Sequence, residues 1–501
     1  MIRLFLGFVL SIVSAVILIF AFPPFNCSIL SWFALVPLLI AQFIIAEKNW
    51  HSSLFQALTY FIFLDITILS AFPNFSLGWG NLYLWITVAV GLVALLLFFS
   101  GLPGGSIIFH RKTCFKFFLI YPVFGTVGIE FARYLLQLGQ MWGMFFIPQH
   151  ENILLIQLSS LLGIWLISFI VVFVNYSIGL SLIKIRSKEY NRALKIIAVT
   201  FLVILFSHFA GYILLNDNRK ITASVRVAAI QLGTNFLGRD YYSHNRRKMS
   251  LTLLRDFEKL TLRAVMQKPA IVIWPEAAIW VDPRKHDDIL TRLVGLAKDN
   301  SIYLVVPYYE ERDPRGILNE AMTIAPDGRI LGTYAKNHPI EFSGYNDGSA
   351  TRGTYPVFKT PFGNIGNIIG YDVDFTDVAR RLTAKGAQVI AVSMHDRAAF
   401  WHNQFTHNIF RSVENRVVTI RSDWQYSSNV IDQYGNMFIK PHHVESELIL
   451  IKDIHVRESG TLYTSIGDVF GIISLITLLA FFGFDIMIRI KNKRGDNSNT
   501  C

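Results

Sequence analysis

Residues 361 to 375 read Pro361-Phe362-Gly363-Asn364-Ile365-Gly366-Asn367-Ile368-Ile369-Gly370-Tyr371-Asp372-Val373-Asp374-Phe375. The apolar stretch from Asn364 to Ile369 predicts a strand, and the pattern from Thr376 to Ala384 predicts a helix. The tight turn between them would expose one side chain, while the start of the helix would offer backbone N–H groups to an anion. Enzymes with α/β folds hold a nucleophile at such turns, so we expect a reaction site here.

Strands and helices alternate on both sides of this turn. The predicted strands are Val225 to Leu232, Ala270 to Trp274, Ile302 to Val306, Asn319 to Ile324, Arg329 to Tyr334, Asn364 to Ile369, Ala387 to Val392 and Val417 to Arg421, with a hairpin from Asn429 to Ile439. The predicted helices are 244 to 266, 286 to 299, Thr376 to Ala384 and 403 to 415. This order predicts a layered α/β fold around one core.

The rest of the chain is too apolar for a soluble protein. Hydrophobic residues make up 52% of the chain and charged residues 16%, and the apolar excess lies in residues 4 to 215 and 468 to 489. A membrane-crossing helix needs about 20 mostly apolar residues. Such runs occur at 4 to 22, 28 to 46, 53 to 72, 82 to 102, 115 to 135, 153 to 183, 196 to 215 and 468 to 488. We therefore expect a membrane domain of seven transmembrane helices (1 to 216), a water-facing domain (217 to 467), and an eighth helix with a basic tail (468 to 501).

The distribution of Lys and Arg orients these spans, because basic loops stay on the cytoplasmic side. With the N-terminus inside, the inner loops and tail contain Lys48, Arg111, Lys112, Lys116, Lys184, Arg186, Lys188, Arg192, Lys195, Arg489, Lys491, Lys493 and Arg494. The outer loops near Pro23, Pro73 and Pro148 contain no Lys or Arg. The polar domain is therefore predicted outside the cytoplasm. The net charge is +11, but no basic stripe interleaved with aromatic residues occurs in the sequence, so a nucleic-acid partner is not expected.

Two features of the chain limit its chemistry. Its three cysteines are Cys27, Cys114 and Cys501, so none lies in the water-facing domain, and we expect neither a metal site nor a cofactor. Charged residues also occur within the predicted spans, among them Asp65, Glu130 and Arg133. Glu130 and Arg133 are three residues apart on one helix face, where they can pair. Both a structural ion pair and a functional role are open for them.

Two charged residues at strand ends are further candidates for chemistry. Glu276 follows the apolar strand in Ile271-Val272-Ile273-Trp274-Pro275-Glu276, and Lys336 follows the strand that leaves the Asp327-Gly328 turn. Taken alone, the glutamate could be a helix cap or a surface residue. Taken alone, the lysine could be an ordinary solvated side chain.

The three motifs in this order resemble the carbon-nitrogen hydrolase (nitrilase) superfamily over residues 225 to 440. They are Trp-Pro-Glu, Tyr-x-Lys-x-His after an Asp-Gly hairpin, and Phe-Gly-x-x-Gly-x-x-Ile-x-Tyr-Asp. Seven spans before this domain and one after it, with Glu130-Phe131-Ala132-Arg133 in the fifth span, resemble the apolipoprotein N-acyltransferase family over nearly the whole chain. The resemblance implies a multi-span α-helical membrane domain plus an α/β nitrilase-like αββα sandwich. It also implies a bacterial inner membrane location with the sandwich on the periplasmic side.

The resemblance implies a two-step acyl transfer at the membrane. A cysteine thiolate takes a fatty acyl group from a phospholipid and passes it to the N-terminal amine of a diacylated lipoprotein. Glu276 would be the general base and Lys336 would stabilise the oxyanion, since a thiol needs a base and the tetrahedral intermediate needs a fixed positive charge. Tyr371 and Asp372 would contribute to binding.

The chain departs from this family pattern at the nucleophile. The family has Cys-Tyr-Glu where this chain has Gly370-Tyr371-Asp372, and a family glutamate in Pro-Phe-Gly-Glu is replaced by Glu341 at a shifted position. Removing a covalent nucleophile costs on the order of 10⁶ in turnover in a well-studied hydrolase. Ser393 or Tyr371 could attack instead.

Three interpretations are therefore open. The chain could be a catalytically inactive family member with a lipid-binding, lipoprotein-binding or regulatory role. It could be a transferase that uses a substitute nucleophile or direct transfer assisted by Glu276 and Lys336. It could be an amide hydrolase, which the eight spans disfavour.

Overall fold

The computed structural model describes most of the chain and divides it into two compact units. The described residues are 2–71, 107–137, 143–217, 219–233, 245–312, 316–339, 341–342, 345–346, 351–396, 401–439, 443–444 and 446–493. One unit comprises Met1–Leu214 with Asp468–Cys501, and the other comprises Leu215–Gly467.

The first unit is helical. In the described part of this unit the α-helices are Ile2–Ala21, Val36–Ile40, Asn49–Ala71, Ile107–Lys112, Tyr121–Leu135, Ile153–Ile156, Ser159–Leu162, Ile164–Arg186, Tyr190–Leu215 and Val469–Lys493, with 3-10 turns at Ser28–Trp32 and Ile147–Gln149 and a π-helical turn at Ala41–Ile45. Five segments in the described residues are long and apolar enough to cross a membrane: Ile2–Ala21, Ser28–Ile45, Ile164–Arg186, Tyr190–Leu215 and Val469–Lys491. The predicted span at 82 to 102 lies outside the described residues.

Three of the predicted apolar runs differ from single α-helices, and the run from 28 to 46 consists of the 3-10 turn Ser28–Trp32, the helix Val36–Ile40 and the π-helical turn Ala41–Ile45. The run from 153 to 183 is divided among three helices, and the last break falls at Gly163, whose φ of +73° ends the helix Ser159–Leu162. A left-handed residue of this kind is tolerated by glycine and stops helix propagation. In the run from 115 to 135, the helix begins at Tyr121. The apolar composition of a run shows how long the run is, but it does not show where its helices begin and end.

The helices Tyr121–Leu135 and Val469–Lys493 approach each other closely at Gly128. A Cβ atom added to Gly128 would lie 2.8 Å from the backbone oxygen of Ser474 in the second helix. Small residues allow this kind of backbone contact between helices in a membrane. Gly128 is therefore a steric requirement of this helix pair.

Substitution of Gly128 by alanine is expected to destabilise the helical unit. The added methyl group meets backbone rather than a movable side chain, so we expect the free energy of unfolding to fall by about 1 to 3 kcal/mol. The control is Gly483→Ala in the helix Val469–Lys493, where an added Cβ has no heavy atom within 4 Å. Thermal unfolding of both variants in detergent tests this, and equal unfolding temperatures would contradict the close packing.

The second unit contains two main sheets and a short hairpin. Its strands are β1 Ile221–Gln231, β2 Ile271–Ile273, β3 Tyr303–Arg312, β4 Gly316–Ile324, β5 Ile330–Ala335, β6 Glu341–Phe342, β7 Tyr345–Asn346, β8 Val357–Phe358, β9 Ile365–Ile369, β10 Val389–Ser393, β11 Val418–Ser422, β12 Asn429–Ile431 and β13 Leu448–Arg457. The strand order is β13-β1-β2-β3-β4-β5 in one sheet and β12-β11-β10-β9-β8 in the other, while β6 pairs with β7. Its helices are Arg246–Val265, Asp287–Asp299, Thr376–Ala384, Trp401–Asn415 and Leu462–Ile466, with 3-10 turns at Pro283–Lys285 and Gly370–Asp374.

These elements form four layers. The two sheets face each other across one apolar core, to which Val227 and Ile273 contribute from the first sheet and Ile368 and Ile390 from the second. A second core lies between the other face of the first sheet and the helices Arg246–Val265 and Asp287–Asp299, and contains Phe257 and Leu293.

Helices also cover the outer face of the second sheet. Leu382 of the helix Thr376–Ala384 packs at Gly366 of β9, and Ser412 of the helix Trp401–Asn415 hydrogen-bonds Thr419 of β11 at 2.8 Å. The predicted α/β sandwich is therefore confirmed in its layers.

The outermost strand of the first sheet, β13, is absent from the sequence-based assignment. It pairs antiparallel with β1 along nearly its full length, with Ala229 opposite Leu450 and Val225 opposite Ile454. The first and last strands of the unit are therefore neighbours, and the last strand forms one edge of the first sheet.

Candidate active site

Three chain segments from both sheets meet at the candidate site. Glu276 follows β2, Lys336 follows β5, and Gly370 follows β9. The backbone N–H of Glu276 donates to the Met394 carbonyl after β10 at 3.2 Å, which joins the two sheets. The backbone N–H of Lys336 donates to the Asn319 carbonyl at 2.8 Å, which continues the β4–β5 ladder. Both charged residues are thus placed by regular backbone structure.

Glu276 and Lys336 form a buried ion pair. The Lys336 Nζ donates to Glu276 Oε1 at 3.0 Å, and the Asn319 Nδ2 donates to the same oxygen at 2.6 Å. The exposed fractions are 5% for Glu276, 1% for Lys336 and 0% for Asn319. A buried charge is costly unless a partner and hydrogen bonds compensate it, and this arrangement supplies both. Neither the motifs nor the spacing pointed to Asn319.

Gly370 lies directly against this ion pair. It begins the 3-10 turn Gly370–Asp374 with a φ of +49°, in the left-handed region that L side chains rarely adopt. A Cβ atom added here would lie 2.9 Å from Glu276 Cδ, and closer still to Oε2. The Glu276 carboxylate therefore fills the volume in which a side chain at position 370 would begin.

Asp372 lies inside the protein and holds the segment that follows Lys336. Its Oδ1 accepts hydrogen bonds from the backbone N–H groups of Asn337 at 3.0 Å and His338 at 2.7 Å, and its Oδ2 accepts from the Tyr334 hydroxyl at 2.5 Å. Burial raises the pKa of Asp372, while His338, Tyr334 and Lys336 oppose that rise. These contacts link the turn at Gly370 to the position of Lys336.

Asp372→Ala is expected to lower both stability and turnover. Two backbone N–H groups and one hydroxyl would lose their acceptor, which should cost about 2 to 4 kcal/mol of the free energy of unfolding. Because Lys336 would lose its fixed position, kcat should fall more than KM rises. The control is Asp453→Asn in an exposed ion pair, where the aspartate side chain is 62% exposed. Thermal unfolding and steady-state kinetics check this, and control-like values for Asp372→Ala would show that the carboxylate is dispensable.

The other predicted site residues have separate environments. Tyr371 is 7% exposed, its ring lies edge-on against Phe375 at 5.0 Å, and burial together with Asp374 raises its pKa while Lys336 lowers it. Ser393 is 1% exposed and donates to the Trp274 carbonyl at 2.9 Å. Glu341 lies in β6, and its side chain is outside the described residues. Of the alternative nucleophiles, Ser393 is thus engaged with the backbone and Tyr371 is held as a neutral phenol.

A second group of buried charges lies at the ends of β10 and β11. Arg421 forms an ion pair with Asp396 and lies 3.6 Å from Asp423 Oδ2, and all three side chains are almost fully buried. Burial raises the pKa of Asp396 well above its ordinary value, Arg421 opposes this, and Asp423 adds to it. Within the described residues, no group of three or more His, Cys, Asp or Glu is arranged to hold a metal ion.

Comparisons with known proteins cover both units. A carbon-nitrogen hydrolase family model matches residues 226–460, and a model of the apolipoprotein N-acyltransferase N-terminal domain matches residues 14–177. The apolipoprotein N-acyltransferase of Geobacter metallireducens is 22% identical over 92% of this chain and 92% of its own length. That of Borreliella burgdorferi is 26% identical over 92% of this chain and 91% of its own length.

The chain belongs to the apolipoprotein N-acyltransferase family. A crystal structure of an amidase from Nesterenkonia sp. is also similar, with 20% identity over 48% of this chain and 93% of that chain, at a TM-score of 0.38. The predicted family is confirmed, and the apolar helices of this N-acyltransferase family member fit a membrane protein.

Proposed function

We propose that the protein transfers a fatty acyl group from a phospholipid to the N-terminal amine of a diacylated lipoprotein. The observation that carries this proposal is the buried Glu276–Lys336 ion pair, with its 3.0 Å contact and the additional hydrogen bond from Asn319. The names of the full-length relatives give the direction of the chemistry, since they are apolipoprotein N-acyltransferases.

Each member of the pair has a role that suits acyl transfer. An amine that attacks an ester must lose a proton, and the Glu276 carboxylate is a proton acceptor held in a fixed position. The ester carbonyl oxygen becomes negative in the tetrahedral intermediate, and the Lys336 ammonium supplies a positive charge in a buried environment. General base catalysis by one positioned group contributes about 10² to 10⁴ in rate.

The site residues assigned by this proposal are Glu276 as base, Lys336 as oxyanion stabiliser, Asn319 and Asp372 as positioning residues, and Tyr371 at the edge of the site. Ser393 and Glu341 have no role in the transfer step as proposed. No cofactor or metal takes part, and the partners are the phospholipid donor, the lipoprotein acceptor and the membrane.

We place the protein in the bacterial inner membrane with the nitrilase-like domain, residues 217 to 467, on the periplasmic side. Seven spans in residues 1 to 216 and an eighth in 468 to 501 anchor it. The support is the distribution of Lys and Arg, which fall in the inner loops and the tail and are absent from the outer loops near Pro23, Pro73 and Pro148.

Met266→Cys tests this topology. Met266 is 83% exposed, so a cysteine there should be accessible to solvent. In a Cys27→Ser background, we expect a membrane-impermeant maleimide to label the variant in intact spheroplasts above the level of the same background with Met266. Labelling that appears only after lysis would place the domain in the cytoplasm instead.

The activity is tested in cells that are depleted of their own apolipoprotein N-acyltransferase. Expression of this chain should add one acyl chain to the N-terminal cysteine of the cells' lipoproteins, as read by mass spectrometry of their N-terminal peptides. Lys336→Ala at equal expression should not do so. Unmodified lipoproteins that co-purify with the chain would instead support an inactive binding role.

A further inference from the structure

The site holds no covalent nucleophile at the turn. Position 370 is glycine, and residues 217 to 467 contain no cysteine. The hydroxyl of Ser393 donates to the Trp274 carbonyl, and the Tyr371 phenol is almost fully buried. A thioester intermediate at residue 370 is therefore chemically impossible, and among the described residues the hydroxyls of Ser393 and Tyr371 are not placed to form an oxygen ester in its stead.

The Glu276 carboxylate occupies the space that the missing side chain leaves. Its Oε1 is held by Lys336 and Asn319, and this directs the carboxyl group so that Cδ lies 2.9 Å from the position of a Cβ at residue 370, with Oε2 closer still. The Glu276 carboxylate thus lies next to the position from which an attacking group would approach the ester. A substrate amine that enters this turn would therefore meet the Glu276 carboxylate.

We infer that the acyl group passes from donor to acceptor in one displacement, with Glu276 as the base that deprotonates the attacking amine. This inference rests on the proposed function. The amine nitrogen attacks the ester carbonyl carbon of the phospholipid, a C–N bond forms, and the C–O bond to glycerol breaks. Glu276 takes the N–H proton and returns it to the departing glycerol oxygen, so the products are an amide and a lysophospholipid.

Positioning replaces the covalent step in this scheme. Holding two reactants in the correct geometry is equivalent to a very high local concentration, with effective molarities of about 10⁵ to 10⁸ M in well-oriented systems. Lys336 serves the same oxyanion in direct transfer as in a two-step reaction. The gain from splitting one difficult step into two is lost. Both substrates must then be bound at the same time.

A kinetic consequence separates this scheme from a two-step reaction. In a two-step reaction the donor alone acylates the protein and releases lysophospholipid before the acceptor arrives. In direct transfer, lysophospholipid appears only when the amine acceptor is present. Double-reciprocal plots of the initial rate against donor concentration, made at several acceptor concentrations, should give lines that intersect. A covalent intermediate would give parallel lines.

The experiment uses the purified full chain in detergent with diacyl phosphatidylethanolamine as donor and a synthetic diacylated lipopeptide as acceptor. Lysophospholipid, N-acyl lipopeptide and the intact protein mass are measured with donor alone and with both substrates. We expect both products in equal amounts only with both substrates, an unchanged protein mass, and intersecting rate plots. The matched control is a lipopeptide whose N-terminus is acetylated, which should give neither product.

The possible results distinguish a failure of direct transfer from a failure of the proposed function. Product formation together with a protein that gains one acyl mass from donor alone would overturn direct transfer and leave the proposed function intact. Hydroxylamine treatment followed by peptide mapping would then locate the acylated residue. Absence of N-acyl lipopeptide under all conditions, from a protein that unfolds cooperatively, would overturn the proposed function and direct transfer with it.

Discussion

Glu276→Gln is expected to lower the rate of N-acyl transfer by about 10²- to 10⁴-fold, the usual contribution of a positioned general base. Glutamine has nearly the same size and can still accept hydrogen bonds from Lys336 and Asn319, but it cannot take a proton from the amine. The rate is measured by mass spectrometry of the lipopeptide product at saturating donor. A loss of less than about tenfold would show that another group removes the proton.

The same substitution also changes stability, and this effect must be separated from catalysis. Glu276→Gln leaves the Lys336 ammonium buried without its counter-charge, and breaking a buried pair costs about 3 to 5 kcal/mol. The double variant Glu276→Gln/Lys336→Met removes both charges, so we expect it to recover much of the stability but none of the activity. A double variant that remains as unstable as the single one would show that the ion pair is not the source of the loss.

Gly370→Cys is expected to change the reaction to a two-step one. A thiol at this position would lie against Glu276, which can accept its proton, and the donor alone should then add one acyl chain to the protein. Loss of a covalent nucleophile costs on the order of 10⁶ in turnover in a well-studied hydrolase, so even a partial gain should be large. Intact-protein mass spectrometry with donor alone detects the thioester.

The backbone opposes this substitution, so a control is needed. Position 370 has a φ of +49°, which costs roughly 1 to 2 kcal/mol for a residue with a Cβ, and the Glu276 carboxylate must move aside. Gly370→Ala has the same two costs without a thiol. If Gly370→Cys unfolds at the temperature of Gly370→Ala and still forms no thioester, Glu276 is not positioned to activate a nucleophile at this turn.

The sequence predicted the local structure around the site well. The helix after the turn was predicted at Thr376 to Ala384 and has those bounds, and the strand before it differs by one residue. The reason is that both elements have clear apolar periodicity and short, well-marked ends. Glu276 and Lys336 were selected as motif residues, and the structure brings their charged groups to 3.0 Å.

The contacts that position these groups were not predictable from the motifs. Asn319 reaches Glu276 only because β2, β3 and β4 pair in particular registers, and Asp372 reaches the backbone after Lys336 from the opposite sheet. Arg421 was assigned to the end of a strand, and its burial beside Asp396 depends on how β10 and β11 align. These are properties of tertiary packing, which local patterns do not encode.

Two misses have different causes. The strand β13, Leu448–Arg457, lies beyond the region that the motifs cover, so its alternating pattern was not used although it was present. In the membrane unit, a run such as 153 to 183 has the composition of one long helix, but the backbone divides it after Ile156 and again at Gly163. A long apolar run indicates a segment that lies in lipid, but it does not show whether the helix in that segment is continuous.

Mass spectrometry of a diacylated lipopeptide incubated with the purified protein and phospholipid tests the central claim most directly. The claim is that the buried Glu276–Lys336 pair transfers an acyl group although residue 370 is glycine. The predicted result is a mass gain of one acyl chain on the lipopeptide that disappears with Glu276→Ala. A lipopeptide that binds the protein and keeps its mass would contradict the claim, and would identify the chain as a family member that retains binding without transfer.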